Sequence, residues 1–424
     1  MRAYDGLMQR LTRHLQPDDL RGVARLAVRA TTDLTSLAEA LHAEVVRFPM
    51  VFGRSPTGRT RGLTGLVYAT VRGVTRGVGS GIDVALGWLA PRLVAETPST
   101  AARSAAIAAL NGVLGDHLAA TRNPLAIRMA LRHAGRPLRL QRDALAAAFP
   151  DAHPHVVVLA HGLCMNDLQW MRDGHDHGAA LARDLPCTPL YLHYNSGLPI
   201  SVNGRRFARL LQALATQWPV PLERLSIVGH SMGGLVARSA CAHGARLGHD
   251  WLERLDAMVF LGTPHRGAPL ERGGHWFESL LEVSPYSAPF ARLGRIRSAG
   301  ITDLRHGTVF ATNCGGNGAD GADGADAADG AFAGPATGAD TIAPLPRRVR
   351  CLAIAGTLGR RGGDLKDRLV GDGLVPLASA LGRGGRSHRS LFTRESQWIS
   401  YETSHLDLLA RPAVYRRLRQ WLAA

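Results

Sequence analysis

The spacing of apolar residues changes about one third of the way along the chain. In the first part, apolar residues recur every three to four positions, as over residues 20–28 and 34–48, which predicts amphipathic helices. Beyond it, short β-branched runs such as HVVVLA at 155–160 alternate with segments of helical spacing. Strands of this kind are buried on both faces of a mainly parallel sheet. We therefore expect a helical module over residues 1–121 and an α/β domain over residues 122–424.

One stretch of the second part fits neither pattern. Residues 313–340, NCGGNGADGADGADAADGAFAGPATGAD, repeat a Gly-Ala-Asp unit and contain almost nothing that could enter a core. This composition predicts a disordered surface insertion. A calcium-binding repeat is disfavoured because the large apolar residue that such repeats bury is missing.

The charge of the chain bears on its partners. Its 424 residues carry a formal net charge of +16, and all of the 50 basic residues except Lys366 are arginine. Residues 1–150 hold 20 arginines against 10 acidic residues, a local excess of +10. The pattern contains no nucleic-acid recognition element, so no nucleic-acid partner is expected. Two interpretations of the helical module stay open: a cap packed on the catalytic domain, and an amphipathic module lying on a membrane surface.

Other features set the expected compartment and cofactors. The five cysteines are dispersed and form no CxxC pair, which predicts neither a disulfide framework nor a metal site. The first residues include acidic side chains and lack an apolar run, so they do not resemble a secretory signal. No apolar stretch is long enough to span a membrane. We expect a cytoplasmic protein, with peripheral membrane contact as the alternative, and no cofactor or metal.

The most informative motif is GHSMGG at 229–234, directly after the apolar run LSIV. A serine between a strand and a helix, flanked by glycines, is typical of a nucleophile turn, because the sharp turn leaves room only for small neighbours. The helix that follows directs its positive end at Ser231, which favours developing negative charge there. Ser231 is therefore the predicted nucleophile, and its hydroxyl would attack an acyl carbon.

An acyl-transfer site also needs donors for the oxyanion. Leu163 follows His161 and Gly162 at the end of the strand HVVVLA, and Met232 follows the nucleophile. Their backbone N–H groups are the expected oxyanion hole.

The acid and the base should follow the nucleophile in that order along the chain. Asp372 lies between two glycines in GDGLVP, where a tight turn can project its carboxylate, and Asp364 and Asp367 compete with it. His405 precedes the final helix and is the expected general base, and His388 competes with it.

Five segments together resemble bacterial lipases and esterases of the α/β-hydrolase superfamily. They are AHGLCMND at 160–167, GHSMGGLVAR at 229–238, LGTPHRGAP at 261–269, GDGLVPL at 371–377 and SHLDLL at 404–409. The resemblance covers roughly residues 124–424. It implies an α/β-hydrolase fold, a triad of Ser231, Asp372 and His405, and Leu163 and Met232 as oxyanion donors.

The sequence predicts a class of substrate but not the individual substrate. Hydrolysis of a carboxylic ester, including a lipid ester, is the leading hypothesis, with thioesterase or amidase activity as the alternative. A non-catalytic lipid-surface module is the third hypothesis. Residues 275–290 carry apolar side chains at helical spacing, and Trp276, Phe277 and Leu280 are the expected substrate-binding residues if this segment is a lid rather than a core helix.

Overall fold

The computed structural model describes residues 17–47, 62–93, 101–267, 298–306, 344–360, 371–383 and 390–424. These divide into two compact units. One unit comprises Met1–Arg103 with Arg122–Leu125, and the other comprises Ser104–Thr121 with Ala126–Ala424. The Gly-Ala-Asp stretch predicted as a disordered insertion lies outside the described residues.

The first unit contains two long helices, α1 (Pro17–Arg47) and α2 (Gly62–Leu93), which pack against each other. Ion pairs join them, since Arg72 binds Glu39 and Asp83 binds two arginines of α1. The helices predicted from apolar spacing are therefore present. Within the described ranges, no helix combines the length and the apolar character needed to cross a bilayer.

The second unit is built on an eight-stranded sheet. The strands are β1 (Ala130–His133), β2 (Arg136–Pro137), β3 (His155–Ala160), β4 (Thr188–His193), β5 (Arg224–His230), β6 (Leu255–Leu261), β7 (Arg350–Gly356) and β8 (Gln397–Ser400). Their order across the sheet is β2-β1-β4-β3-β5-β6-β7-β8. Strands β3 to β8 run parallel to one another. The β1–β2 hairpin joins the sheet through β1, which pairs with β4 in the antiparallel direction.

Helices connect these strands and cover the sheet. They are α3 (Ala101–Ala120), α4 (Arg142–Ala148), α5 (His177–Asp184), α6 (Ile200–Gln217), α7 (Met232–Leu247), α8 (Trp251–Arg254), α9 (Ala299–His306), α10 (Leu377–Ala380) and α11 (Pro412–Ala423). Successive residues of β3 alternate between two apolar clusters: Val156 and Val158 belong to one, and Val157 and Leu159 to the other. Burial on both faces explains why this strand is a continuous apolar run.

Helix α3 belongs mostly to a different unit from the one that the sequence predicts for it. The sequence assigns it to the N-terminal module, whereas residues 104–121 belong to the unit that contains the sheet. Its Gly112 lies against Cys164, where an added Cβ would be 2.2 Å from the cysteine sulfur, and its Gly115 lies against Asn195. The apolar spacing identified the helix correctly but could not indicate which unit its apolar face covers.

The register of the central strands brings their carboxyl ends together. Ala160, at the end of β3, is level with Gly229 of β5, and His230 is level with Leu261 of β6. Because these strands are parallel, the loops that follow them leave the same edge of the sheet. The segments 161–163, 231–234 and 262–265 therefore begin side by side.

Candidate active site

Ser231 lies at a sharp turn between β5 and α7. Its backbone has φ 52° and ψ −124°, a left-handed conformation that a side chain adopts only under strain, and its side chain is buried. A Cβ on Gly229 would lie 2.5 Å from Gly234 Cα, and one on Gly233 would lie 2.2 Å from the Ala160 carbonyl oxygen. The glycines of GHSMGG are thus required by the close packing of the turn, as the sequence predicts.

Asp372 and His405 form a buried pair. The Nδ1–H of His405 donates to Oδ2 of Asp372 at 2.7 Å, and the backbone N–H of His405 donates to the Asp372 carbonyl oxygen at 3.0 Å. The second carboxylate oxygen, Oδ1, accepts from the N–H groups of Leu374 (3.0 Å) and Val375 (2.8 Å). With the proton held on Nδ1, the Nε2 of His405 is left as a base.

Contacts around His405 place it at the same sheet edge as Ser231. The Nε2–H of His230, the residue before Ser231, donates to the His405 carbonyl oxygen at 3.1 Å, and the centroids of the two rings are 4.7 Å apart. A Cβ on Gly262 would lie 3.0 Å from His405 Nδ1. The backbone N–H of Ser231 in turn donates to the carbonyl oxygen of Leu261 at 2.8 Å. The structure therefore brings the three predicted residues into one cluster.

The loop after β3 passes close to Ser231. A Cβ on Gly162 would lie 3.1 Å from Ser231 Cβ, a tight contact that glycine avoids. The loop is held from behind, because the Tyr194 hydroxyl donates to the His161 carbonyl oxygen and the Cys164 N–H donates to Ser196 Oγ. Met232 is the first residue of α7, whose N–H has no partner within the helix.

The predicted oxyanion hole requires backbone N–H groups of Leu163 and Met232 that are not already bonded within the protein. Within the described part of the chain, neither backbone N–H donates to a protein acceptor. Both residues are buried. Leu163 follows Gly162 and Met232 follows Ser231, and Gly162 and Ser231 lie close to each other. Two free N–H groups beside a serine hydroxyl can hold the oxygen of a tetrahedral intermediate.

The histidines around the pair are neutral. Burial lowers the pKa of His161 to about 3 and lowers that of His230 well below its usual range, with the nearby His405 adding to the second shift. Both rings therefore favour the neutral form near pH 7.

His265 has a packing role. Its ring packs against Phe260 and Phe392, with ring centroids 4.8 and 5.0 Å away, and its Nδ1 lies 3.3 Å from a guanidinium nitrogen of Arg238. It is fully buried and makes no described contact with Ser231 or His405.

Sequence reasoning missed His230. The contact between its ring and the carbonyl of His405 joins residues 175 positions apart, and the only signal in the sequence was its place next to Ser231. Several candidates lie outside the described residues: the competitors Asp364, Asp367 and His388, and the lid residues Trp276, Phe277 and Leu280.

The chain was compared with protein families and with curated proteins. The chain matches, over residues 208–313, a family described as a PGAP1-like alpha/beta domain, and this segment contains the Ser231 turn. No curated protein matches the chain.

Solved structures to which the chain is similar include three lipases and esterases, each of low sequence identity. A lipase from Bacillus licheniformis in mature form is 16% identical, with 69% of this chain and 98% of that chain covered and a TM-score of 0.39. Lipase B of Aspergillus fumigatus is 13% identical, with 68% and 59% covered and a TM-score of 0.36. A thermophilic esterase from Thermogutta terrifontis is 13% identical, with 64% and 90% covered and a TM-score of 0.31.

The fold class of the protein follows from its own strand order and from the serine turn after β5. A mostly parallel eight-stranded sheet, with a glycine-flanked serine between β5 and the next helix, is the α/β-hydrolase fold. This confirms the fold predicted from the sequence.

Proposed function

We propose that this protein is a serine hydrolase that cleaves a carboxylic ester through Ser231, His405 and Asp372. The observation that carries the proposal is the His405–Asp372 pair, with 2.7 Å between Nδ1 and Oδ2, joined through His230 to the strained nucleophile turn. A strained serine, an oriented imidazole and two free N–H groups are the parts that acyl transfer needs.

The first half of the reaction forms an acyl-enzyme. Ser231 Oγ attacks the ester carbonyl carbon while its proton moves to Nε2 of His405, and the N–H groups of Leu163 and Met232 hold the oxyanion. When the tetrahedral intermediate collapses, the carbon–oxygen bond to the alcohol breaks, and the alcohol leaves with the proton from His405. Asp372 keeps its negative charge and stabilises the imidazolium.

The second half repeats these steps with water. A water molecule gives a proton to His405 Nε2 and attacks the acyl carbon, and the carboxylic acid is released as Ser231 Oγ regains the proton. The substrate class is an ester, including a lipid ester, because the five segments around the site resemble those of lipases and esterases. Trp276, Phe277 and Leu280 stay as proposed residues of the acyl-binding wall.

Turnover of p-nitrophenyl esters tests this proposal. Ser231→Ala should lower turnover at least about a hundredfold, because the nucleophile is removed. Ser226→Ala is the matched control: this buried serine lies on β5, the strand that leads to the Ser231 turn, and its hydroxyl contacts His155 rather than the site. Equal activity of Ser231→Ala and the unaltered chain would mean that another nucleophile is used.

A substrate panel separates the ester proposal from its alternatives. Esters of increasing acyl length should be cleaved faster than matched thioesters and anilides. If the protein prefers a thioester or an anilide, the proposed triad stands and the proposed substrate class is wrong. A lack of turnover with all three classes would favour a non-catalytic lipid-surface module.

A further inference from the structure

His230 is the last residue of β5 and lies directly before the proposed nucleophile. Its side chain is 1% exposed, and buried polar groups are normally hydrogen-bonded. The ring packs against that of Trp170, with centroids 6.4 Å apart, and against that of His405, with centroids 4.7 Å apart. A residue joined by the chain to Ser231 therefore also contacts the segment of the proposed general base.

The two ring nitrogens of His230 face two different segments. Nε2–H donates to the His405 carbonyl oxygen at 3.1 Å. Nδ1 lies on the side of Gly162, where an added Cβ would be 3.2 Å from it. The ring thus stands between the segment that carries the base and the loop that carries Leu163, while its backbone leads into Ser231.

Burial determines the form of this ring. It lowers the pKa of His230 well below its usual range, and the neighbouring His405 lowers it further. A neutral imidazole has a single N–H, and the bond to the His405 carbonyl oxygen requires that proton on Nε2. The only donor of the ring is therefore directed at the backbone of the base.

Other hydrogen bonds hold His405 from a different side. Its backbone N–H and its Nδ1–H both donate to Asp372. Among the hydrogen bonds of the described residues, the one from His230 joins His405 to the strand and helix on either side of Ser231. Without that bond, the base would stay tied to its acid but not to its nucleophile.

The alternative role for His230 is packing. Its ring fills space beside Trp170, and packing alone is satisfied by any side chain of similar volume. A bond to the His405 carbonyl oxygen needs a donor at one place, that of Nε2. The directed bond and the position between three segments of the site favour a role in alignment over packing.

We propose that His230 is a positioning residue that holds the backbone of His405 at the distance from Ser231 that proton transfer requires. This inference rests on the proposed function of Ser231 and His405. It gives His230 no proton transfer of its own.

Two amide variants of the full chain test the proposal by turnover of a p-nitrophenyl ester. The amide nitrogen of His230→Gln reaches the place of Nε2 and can donate to the His405 carbonyl oxygen, whereas that of His230→Asn reaches only the place of Nδ1. His230→Asn should lower kcat about 10–100-fold with little change in KM, because the base is displaced while substrate binding is not. His230→Gln should recover most of the lost kcat.

A proton NMR signal gives a second readout that does not depend on turnover. The Nδ1 proton shared by His405 and Asp372 should resonate far downfield of the amide protons, because its acceptor is a carboxylate. Its absence in His405→Ala assigns the signal. His230→Asn should broaden or remove it, since a loosened imidazole exchanges its proton faster, and His230→Gln should keep it.

The matched control is another buried histidine. His155 lies at the opposite end of the sheet, at the start of β3, and its Nε2 contacts the Ser226 hydroxyl. His155→Asn should leave both kcat and the NMR signal unchanged. Far-ultraviolet circular dichroism checks the fold of each variant, and His230→Leu, which also lacks a donor, replaces His230→Asn if that variant unfolds.

Three results would overturn the role of His230. The first is an unaltered kcat in a folded variant that lacks the donor. The second is an equal loss in His230→Gln and His230→Asn, which would assign a packing role. The third is a loss confined to KM with the NMR signal retained, which would indicate a substrate contact.

Failure of this inference can be told apart from failure of the proposed function. If Ser231→Ala is inactive and the folded His230 variants are fully active, only the role of His230 is wrong. If Ser231→Ala keeps full activity, the proposed function itself is wrong.

Discussion

At the scale of single residues, the two carboxylate oxygens of Asp372 have different partners. Oδ1 accepts two backbone N–H groups of its own turn, and Oδ2 accepts the Nδ1–H of His405. The turn bonds fix the carboxylate, so that the remaining oxygen selects one tautomer of the imidazole.

Asp372→Asn should therefore lower turnover of a p-nitrophenyl ester by roughly 10⁴. The asparagine oxygen can keep the turn bonds, but its NH₂ then faces Nδ1 and moves the imidazole proton to Nε2. Burst and steady-state rates measure the loss. If Asp364→Asn or Asp367→Asn produces this loss and Asp372→Asn does not, the acid is misassigned.

Asp303 gives a prediction for stability against pH. Burial raises the pKa of its carboxyl to about 6, although Oδ2 accepts the Ile200 N–H at 2.8 Å. Because the folded chain holds this proton more tightly than the unfolded chain, the group makes the free energy of unfolding fall as pH rises from about 4 to about 6.

Asp303→Asn should remove this fall. The variant should be more stable than the unaltered chain by about 1–2 kcal/mol above pH 7, and the difference should vanish near pH 4. Urea unfolding at the two pH values measures it. A variant that is less stable at high pH would show that the charged form of Asp303 is favoured in the fold.

At the level of residues, the sequence points to candidates where local rules apply. Ser231 was predicted because a nucleophile turn admits only small neighbours, and the glycines of GDGLVP indicated a projecting carboxylate at Asp372. His230 could not be assigned a role, because its partner is a backbone carbonyl from a distant segment. Pairing of that kind depends on the packed fold rather than on neighbouring residues.

At the scale of elements, α3 supports the loop that carries Leu163, one of the two proposed oxyanion donors. Gly112 of α3 lies against Cys164, the residue after Leu163, and an added Cβ would be 3.0 Å from the Cys164 backbone nitrogen. The Ser298 hydroxyl also donates to the Gly112 carbonyl oxygen at 2.7 Å. A helix without any proposed catalytic residue therefore packs directly against the loop that holds Leu163.

Gly112→Ala should lower the free energy of unfolding by about 1–2 kcal/mol and reduce turnover, because overpacking outweighs the gain in helix propensity. Gly73→Ala on α2 is the matched control, since a Cβ there meets nothing within 4 Å. That control should be neutral or stabilising. Thermal unfolding and ester turnover check both variants, and equal behaviour of the two would contradict the packing argument.

Strands could be predicted from the sequence where their residues are buried. The run HVVVLA coincides with β3 because every residue in it is buried. The edge strand β8, QWIS, was missed, since it is short and mostly half-buried and so lacks a continuous apolar run. The apolar period of α3 was read correctly, but only the fold shows that it packs with the sheet.

At the scale of the whole molecule, the unit boundary gives a truncation test. A chain starting at Ser104 keeps α3 and should fold and hydrolyse a soluble short ester. A chain starting at Arg122 loses the buried residues Ala108, Val113 and Leu118 and should aggregate, because the surface beneath α3 becomes exposed. Size-exclusion chromatography distinguishes the two, and a monodisperse, active chain from Arg122 would contradict the assignment of α3.

The proposed nucleophile can be tested directly by covalent labelling. A fluorophosphonate reacts with a serine only when a base and an oxyanion site activate it. Peptide mass spectrometry of the labelled full chain should place the phosphonyl group on Ser231, with no label in Ser231→Ala and far slower labelling in His405→Ala. Label on another residue, or no label on the folded chain, would contradict the account of Ser231 as the activated nucleophile.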